Sequence, residues 1–465
     1  MYELTAENEK IAYELDEVVK AFYPDEAEAP HTVVQKSFVK DGIMRVDIAV
    51  DENTFSYEKK IGGNISSDEK RFYNRFNKLC LYKSLEQFSE RSLPWGSLTG
   101  IRPTKLAYEL IDGGKSIEEA ARVLQTVYCV SSEKAELIEK ILKAQDGYIR
   151  KGDNLFNLYV HIPFCVSKCS YCSFVTDVLT PSYKYMQRYV EALTEEIERT
   201  KNALKVAGGE IVSVYIGGGT PTALDETQLK KVLTAAYCGN VEYTCEAGRP
   251  DTITEEKLSV IADCGVGRIC VNPQSLCDET LKRIGRNHDS RKFFEAYEAA
   301  RKYPFVINTD LIAGLEGETA AEFSQTLKGI TDLRPENITV HTLARKNGSE
   351  LSRLKYRANA EVEKMVKLAN AEMKEHGYIP YYTYRQKRML GNLENTGYCL
   401  DGTQCVNNIT TMEECIGVAA CGAGAINKRV YDMGGRIERL ANLRDVKLYL
   451  EQFEERLNKK LIFLS

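Results

Sequence analysis

From residue 158 onward short apolar runs recur along the chain: LYVHIPF (158–164), IVSVYIGGG (211–219), VEYTCEA (241–247), RICVNPQS (268–275), VINTDLIAG (306–314) and NITVHTLA (337–344). Helical stretches separate them, most clearly over 183–206. There Met186, Val190, Leu193, Ile197 and Leu204 share one face and Glu195, Glu196 and Arg199 lie opposite. Six strands alternating with helices predict a parallel sheet with right-handed crossovers. The count fits an α/β fold of the partial parallel (β/α)6 barrel type, with active groups at the C-terminal strand ends. An open doubly wound sheet is the alternative.

The pattern before this core is different. Residues 1–30 carry nine acidic and two basic residues around a helical repeat. HTVVQKSFV, IMRVDIAV and TFSYEKKI then alternate as strands, separated by Asp41-Gly42 and Asp51-Glu52-Asn53, both suited to turns. After Ser66 the period becomes helical. Ser116 and Glu119 form a capping-box pair, with Gly113 and Gly114 closing the preceding helix. These features define an N-terminal α+β module over 1–152 and a core over 153–375. A small C-terminal domain over 376–465 holds a Tyr-rich stretch (Tyr378 to Tyr384) and a Gly/Ala-rich one (Ala419 to Ala425).

Composition changes this picture at one point. The 465 residues are 43% hydrophobic and 28% charged, which suits a folded globular chain. Net charge is −5, from 62 Lys+Arg against 67 Asp+Glu, and argues against a nucleic-acid-gripping surface. No apolar run reaches membrane length and Met1 precedes acidic residues, so neither a membrane span nor a leader is expected, and the expected location is the cytoplasm. The unusual number is 14 cysteines. In a reducing compartment most are expected to be buried thiols, and a tight cluster is the exception that signals metal or catalysis.

One cluster is tight: Cys165, Cys169 and Cys172, spaced CxxxCxxC directly after the first core strand. On a helix these positions share one face and would be a packing stripe. Pro163, the preceding β run and the intervening Ser and Lys residues instead mark a strand-to-loop exit. Three thiolates in eight residues suit zinc or an iron–sulfur cluster. Because a four-iron cluster normally takes four Cys ligands, three would leave one iron open to a ligand. Gly217-Gly218-Gly219-Thr220-Pro221 ends the second strand, where missing side chains allow backbone to approach a ligand. Glu246, Gln274 and Asp310 sit at or near later strand ends. Each alone would be ascribed to a structural network, but together they converge on one mouth.

The CxxxCxxC loop after the first strand of such a domain resembles the radical S-adenosylmethionine (SAM) superfamily. The run Tyr159-Val160-His161-Ile162-Pro163-Phe164-Cys165 is similar to the oxygen-independent coproporphyrinogen III dehydrogenase (oxidase) family. The resemblance implies a [4Fe-4S] cluster on Cys165, Cys169 and Cys172, and one or two SAM molecules. In that family the open iron chelates SAM, and one electron splits the sulfonium to give a 5′-deoxyadenosyl radical. It further implies SAM contacts from the backbone of Gly218, Gly219 and Thr220 and from Tyr159, Glu246, Gln274, Arg286 and Asp310, with Arg283 the competing arginine. Tyr171 takes the place of an aromatic residue near a second SAM. Phe174 stands where some members carry a further, non-ligating Cys.

The implied activity is that of an oxidoreductase in porphyrin and haem biosynthesis, converting coproporphyrinogen III to protoporphyrinogen IX. The implied partners are a small tetrapyrrole substrate and a reduced flavodoxin- or ferredoxin-type electron donor. The expected chain is a monomer that binds neither nucleic acid nor membrane. Haem chaperones built on the same scaffold are the alternative, as is another radical SAM enzyme acting on a tetrapyrrole or on RNA. Those chaperones carry Cys-x-His-Asn-x-x-Tyr-Trp, whereas here Cys405-Val406-Asn407-Asn408 lacks the His, and the only Trp is Trp95. Cys399, Cys405, Cys415 and Cys421 could hold a second metal but include no CxxC pair. Of the five histidines, His161 is expected to face the site and the others to be structural. Arg385-Gln386-Lys387-Arg388 reads as a solvated face or a partner for propionates. Leu93-Pro94-Trp95-Gly96-Ser97-Leu98-Thr99-Gly100-Ile101-Arg102-Pro103-Thr104 resembles a branch of the family with a long N-terminal module.

Overall fold

Alternation in the N-terminal strands puts one face of each inside. β1 (Tyr2–Thr5), β2 (His31–Lys40), β3 (Ile43–Val50) and β4 (Asn53–Lys60) pair in that order, and Met44, Val46, Ile48 and Val50 of β3 are buried. Asp41 and Gly42 join β2 to β3 with φ of 51° and 71°, the left-handed pair that matches strand twist. β1 runs parallel to β2. It is short and carries no repeat that the sequence could announce. The Ser116–Glu119 capping box is formed in both directions, at 2.8 and 3.1 Å.

The computed structural model describes residues 2–23, 31–61, 67–99, 102–174, 177–180, 183–344, 349, 361–386, 389–432 and 435–465. Met1–Lys143 with Thr383–Glu394 form one compact unit, and Ala144–Tyr356, Glu361–Tyr382 and Asn395–Ser465 form another. Among the described residues no helix is long and apolar enough to cross a membrane.

Within the first unit the tryptophan motif is a buried polar socket. Trp95 Nε1 donates to Glu394 Oε2 at 2.8 Å, and Lys134 Nζ meets Glu394 Oε1 at 2.7 Å. Arg385 lies over the Trp95 ring at 5.4 Å and donates to the carbonyls of Leu98 and Asn392. Arg385 is therefore neither a solvated residue nor a free cation for a carboxylate ligand, because burial has committed its guanidinium to carbonyls of its own unit. Lys387 and Arg388, like Gly100 and Ile101, lie outside the described residues.

In the second unit the strands are β5 (Leu155–Ile162), β6 (Phe164–Cys165), β7 (Asp177–Val178), β8 (Glu210–Gly218), β9 (Glu242–Gly248), β10 (Arg268–Val271), β11 (Val306–Ala313) and β12 (Asn337–Thr342). β13 (Ile379–Tyr384, of which this unit holds the part to Tyr382), β14 (Asn395–Cys399), β15 (Gly417–Cys421), β16 (Ile426–Tyr431) and β17 (Arg436–Ala441) follow. Among the described residues eleven strands form one sheet, ordered β13-β14-β12-β11-β10-β9-β8-β5-β15-β16-β17. The six anticipated core strands are β5, β8, β9, β10, β11 and β12, all parallel, with a helix in each of the five connections. Every residue of β10 is buried, as expected of a parallel strand covered on both faces.

The Gly/Ala-rich segment supplies β15, which adds in parallel beside β5 with Ala420 opposite Tyr159. Its small residues are required there, since a Cβ on Gly417 would lie 2.5 Å from the Phe156 ring. The turn after β15 is held by Glu196, which accepts from Gly422 N (2.7 Å), Tyr449 Oη (2.7 Å), Asn442 Nδ2 (3.0 Å) and Lys460 Nζ (3.0 Å).

Lys134 and Glu394 are 4% and 1% exposed, so truncating one partner strands a buried charge. Glu394→Ala is expected to cost about 3–5 kcal/mol, read as a lower urea midpoint.

Candidate active site

Pro163 interrupts the chain between β5 and β6 and sends it away from the sheet. Cys165 is in β6, pairs with Val178 of β7, and begins a loop braced from several sides. Leu179 N donates to Cys165 O (2.9 Å), Cys172 N to Cys169 O (3.1 Å) and Ser170 N to Ile284 O (3.1 Å), the last just past the helix Asp278–Arg283. Ser167 Oγ adds a bond to Gly285 O at 3.4 Å. Gly285 has φ of 75°, and a Cβ there would sit 3.2 Å from Lys168 O. The loop carrying the three cysteines is thus seated on the turn that leads to Arg286.

The glycine run meets this loop edge to edge. Gly219 N donates to Ile162 O (2.7 Å) and Thr220 N to Phe164 O (2.8 Å). A Cβ on Gly218 would fall 2.2 Å from the His161 ring, and one on Gly219 would fall 2.5 Å from Phe164 O. Because those amides are engaged, carbonyl oxygen is what this turn can offer a ligand, an acceptor suited to an ammonium group. The Thr220 hydroxyl lies 3.5 Å from Cys165 Sγ.

Tyr159 stacks on Tyr215 with centroids 6.2 Å apart, and Tyr215 Oη donates to Glu246 Oε1 at 3.0 Å. Burial, with the charge of Asp310 adding to it, pushes the Glu246 carboxyl up to about 7. Asp310 is also buried, which would raise it, but polar neighbours hold it below its ordinary value. Asn272 Nδ2 and Asn308 Nδ2 donate to its oxygens at 2.9 and 2.8 Å, and His341 Nε2 stands 3.8 Å away. Two neighbouring carboxyls are thereby pushed apart in proton affinity. Gln274 is buried with φ of 70°, a strained conformation for a residue with a side chain. Its backbone bridges Leu311 on β11.

Arg286 Nη2 donates to Tyr171 Oη at 3.1 Å, while its Nε and Nη1 are buried without a partner. Arg283 is turned elsewhere, onto the carbonyl of Glu316. The unpaired donors of Arg286 match a planar anionic group such as a carboxylate. His161 is buried and spent on structure: its Nδ1 is 2.5 Å from Ala423 O, and burial lowers its pKa.

Sequence reasoning passed over Tyr215, Asn272, Asn308 and Arg249 and read His341 as structural, whereas His341 stands beside Asp310 and His161 is the one spent on structure. Tyr215 shares a strand face with Gly217, and that period-2 relation was a usable signal. For Arg249 the signal was a charged residue between a strand end and a proline. Arg249 Nη1 lies 3.6 Å from Cys169 Sγ.

The donor set suits an iron–sulfur cluster. All three thiols are free, Cys165 and Cys169 are buried, and burial followed by the nearby Cys169 and Cys165 raises the pKa of Cys172. Among the described residues no three His, Cys, Asp or Glu side chains are gathered to hold a metal ion as they stand. The fit therefore rests on donor chemistry and on the unpaired Arg286 beside the loop. The C-terminal cysteines have separate surroundings. Cys405 Sγ bonds to Glu242 (3.3 Å), Cys415 Sγ to Thr410 O (3.9 Å), and Lys460 Nζ reaches Cys421 Sγ (3.2 Å), while Cys399 is buried.

The parallel strand order and the thiol loop at the strand ends define a radical SAM fold. Residues 159–330 match the radical SAM superfamily model. Coproporphyrinogen III oxidase (HemN) from Escherichia coli, described as a radical SAM enzyme, is similar in structure. Its TM-score is 0.53 at 23% identity, over 70% of this chain and 74% of that one. The oxygen-independent coproporphyrinogen-III oxidase-like protein HemZ of Bacillus subtilis (strain 168) is 40% identical over 386 residues, 80% of this chain and 77% of that protein. The heme chaperone HemW of the same organism is 28% identical over 313 residues, 64% of this chain and 76% of that protein. The chain belongs to the oxygen-independent coproporphyrinogen III oxidase-like family of radical SAM proteins.

Glu246 keeps its proton to higher pH folded than unfolded, so its contribution lowers stability as pH rises from about 4.5 to about 7. Glu246→Gln is expected to flatten the fall in Tm across that interval, measured by thermal unfolding of the reduced, metal-free chain.

Proposed function

We propose that this chain catalyses the oxygen-independent oxidative decarboxylation of coproporphyrinogen III to protoporphyrinogen IX. The carrying observation is the thiol loop beside Arg286, whose Nε and Nη1 are buried without a partner. Cys165, Cys169 and Cys172 would hold one [4Fe-4S] cluster. When bound, cluster and SAM together supply the means of removing a hydrogen atom from an unactivated carbon.

The chain's own part is placement. Arg286 is suited to a SAM carboxylate and the Gly218–Thr220 turn to its amino group. Asp310, ionised and fixed by two asparagines, accepts from ligand hydroxyls, and Glu246 with Tyr159 and Tyr215 lines the same mouth. Gln274 joins this set with its strained backbone, and Tyr171, within the cysteine loop, is held by Arg286. Each propionate would lose CO2, one hydrogen atom, taken up by the adenosyl group of SAM, and one electron, passed to an external one-electron acceptor, to become a vinyl group, and the sequence runs twice. A reduced flavodoxin- or ferredoxin-type donor would supply electrons to the cluster.

The haem-chaperone reading draws on the HemW likeness. Against it, the stretch in place of the chaperone motif is committed to packing. Cys405 bonds to Glu242, which also accepts from the amides of Val406 and Asn407 at 2.9 Å each. Asn408 bonds to Tyr381 at 3.1 Å.

Anaerobic incubation with coproporphyrinogen III, SAM, dithionite and a one-electron acceptor is expected to give a product lighter by two CO2 and four hydrogens. Stoichiometric haem binding without turnover would replace the enzyme reading by the chaperone one. Arg286→Gln is expected to raise the KM for SAM about 10- to 100-fold, from loss of charge-assisted bonds, with iron content unchanged.

A further inference from the structure

Arg249 follows β9 directly, and its place is fixed by local chemistry. Pro250 opens the short turn Pro250–Thr252, whose Thr252 N closes onto Arg249 O at 3.0 Å. Thr222 Oγ1 ties this turn to the glycine run, donating to Ala247 O at 2.8 Å and meeting Thr252 Oγ1 at 2.7 Å. The Arg249 side chain is 6% exposed. Its Nε and Nη2 form a fork onto the two oxygens of Asp251, at 3.1 and 2.9 Å. That leaves Nη1 aimed at the cysteine loop, 3.3 Å from Ser167 O and 3.6 Å from Cys169 Sγ. A buried cation costs free energy unless it is paired, and here it is paired on one side only. The other side faces a sulfur.

We propose that Arg249 is a positioning and tuning residue: it fixes the middle of the cysteine loop and, through its N–H and charge at Cys169, favours the reduced state of the centre held there. This rests on the reading of Cys165, Cys169 and Cys172 as cluster ligands. One-electron reduction adds one negative charge and moves no proton and no bond. A cation and a hydrogen-bond donor at a ligand sulfur therefore stabilise the reduced form, whereas the Asp251 carboxylate opposes that effect. Arg249 and Asp251 thus act on the centre with opposite signs, and their bidentate pairing sets the balance.

The test is a mediated redox titration of the anaerobically reconstituted full chain, followed by EPR, with dithionite as reductant. Arg249→Gln is expected to shift the one-electron equilibrium at least tenfold toward the oxidised form, a midpoint lower by about 59 mV or more. Arg249→Lys, which keeps the charge, recovers most of the shift, and Asp251→Asn raises the midpoint. Loss of packing alone would not move the two neutralised variants in opposite directions. Midpoints that are unchanged, or that move the same way in Arg249→Gln and Asp251→Asn, overturn the proposal. A wild-type chain that takes up no iron and sulfide overturns instead the ligand reading beneath it.

Discussion

The site depends on how closely two backbones approach at the ends of β5 and β8. Gly219 N reaches Ile162 O at 2.7 Å and Thr220 N reaches Phe164 O at 2.8 Å, so the ladder between the strands continues past the sheet and into the cysteine loop. A side chain at Gly217, Gly218 or Gly219 would collide with Glu246, with the His161 ring or with the carbonyl of Phe164. The glycines are required by this contact as much as by any ligand. They let the loop after β5 be fixed by main-chain bonds before any metal is present. The three thiols are presented at the strand ends, where a parallel sheet places its chemistry.

A second layer follows from charge burial. Two arginines approach the cysteine loop from different strand ends, Arg249 beside Cys169 and Arg286 beside Tyr171. Only Arg249 has a fixed carboxylate partner, Asp251. The loop therefore lies in a locally cationic setting within a chain whose net charge is −5. The carboxyls of Glu246 and Asp310 differ because His341, with Asn308 and Thr339, holds Asp310 down, whereas the bonds from Tyr215 and Gly218 do not offset burial at Glu246. Burial alone acts on both in the same direction.

The six core strands and the cysteine loop were legible because period, turn chemistry and spacing are local properties. β15 was not, because nothing in Gly417–Cys421 announces that it pairs in parallel with a strand about 260 residues earlier. Its small residues were visible as a Gly/Ala-rich stretch, but their reason, the Phe156 ring against Gly417, is a tertiary contact. Arg385 illustrates the same limit. As one of four polar residues in a row it suggested solvent, yet Trp95 and the carbonyls of Leu98 and Asn392 enclose it. Among site residues, Glu246, Gln274 and Asp310 were marked by strand-end position. Asn308 and His341 act through neighbours that only the folded sheet brings near.

The central claim is that the thiol loop is an incomplete ligand set, made to leave one iron open. Mössbauer spectroscopy of the 57Fe-reconstituted chain, with and without SAM, tests it most directly. About four irons per chain are expected, with one iron site altered on adding SAM and the rest unchanged. A single tetrahedral metal, or a four-iron spectrum that survives Cys169→Ala and does not respond to SAM, would contradict it.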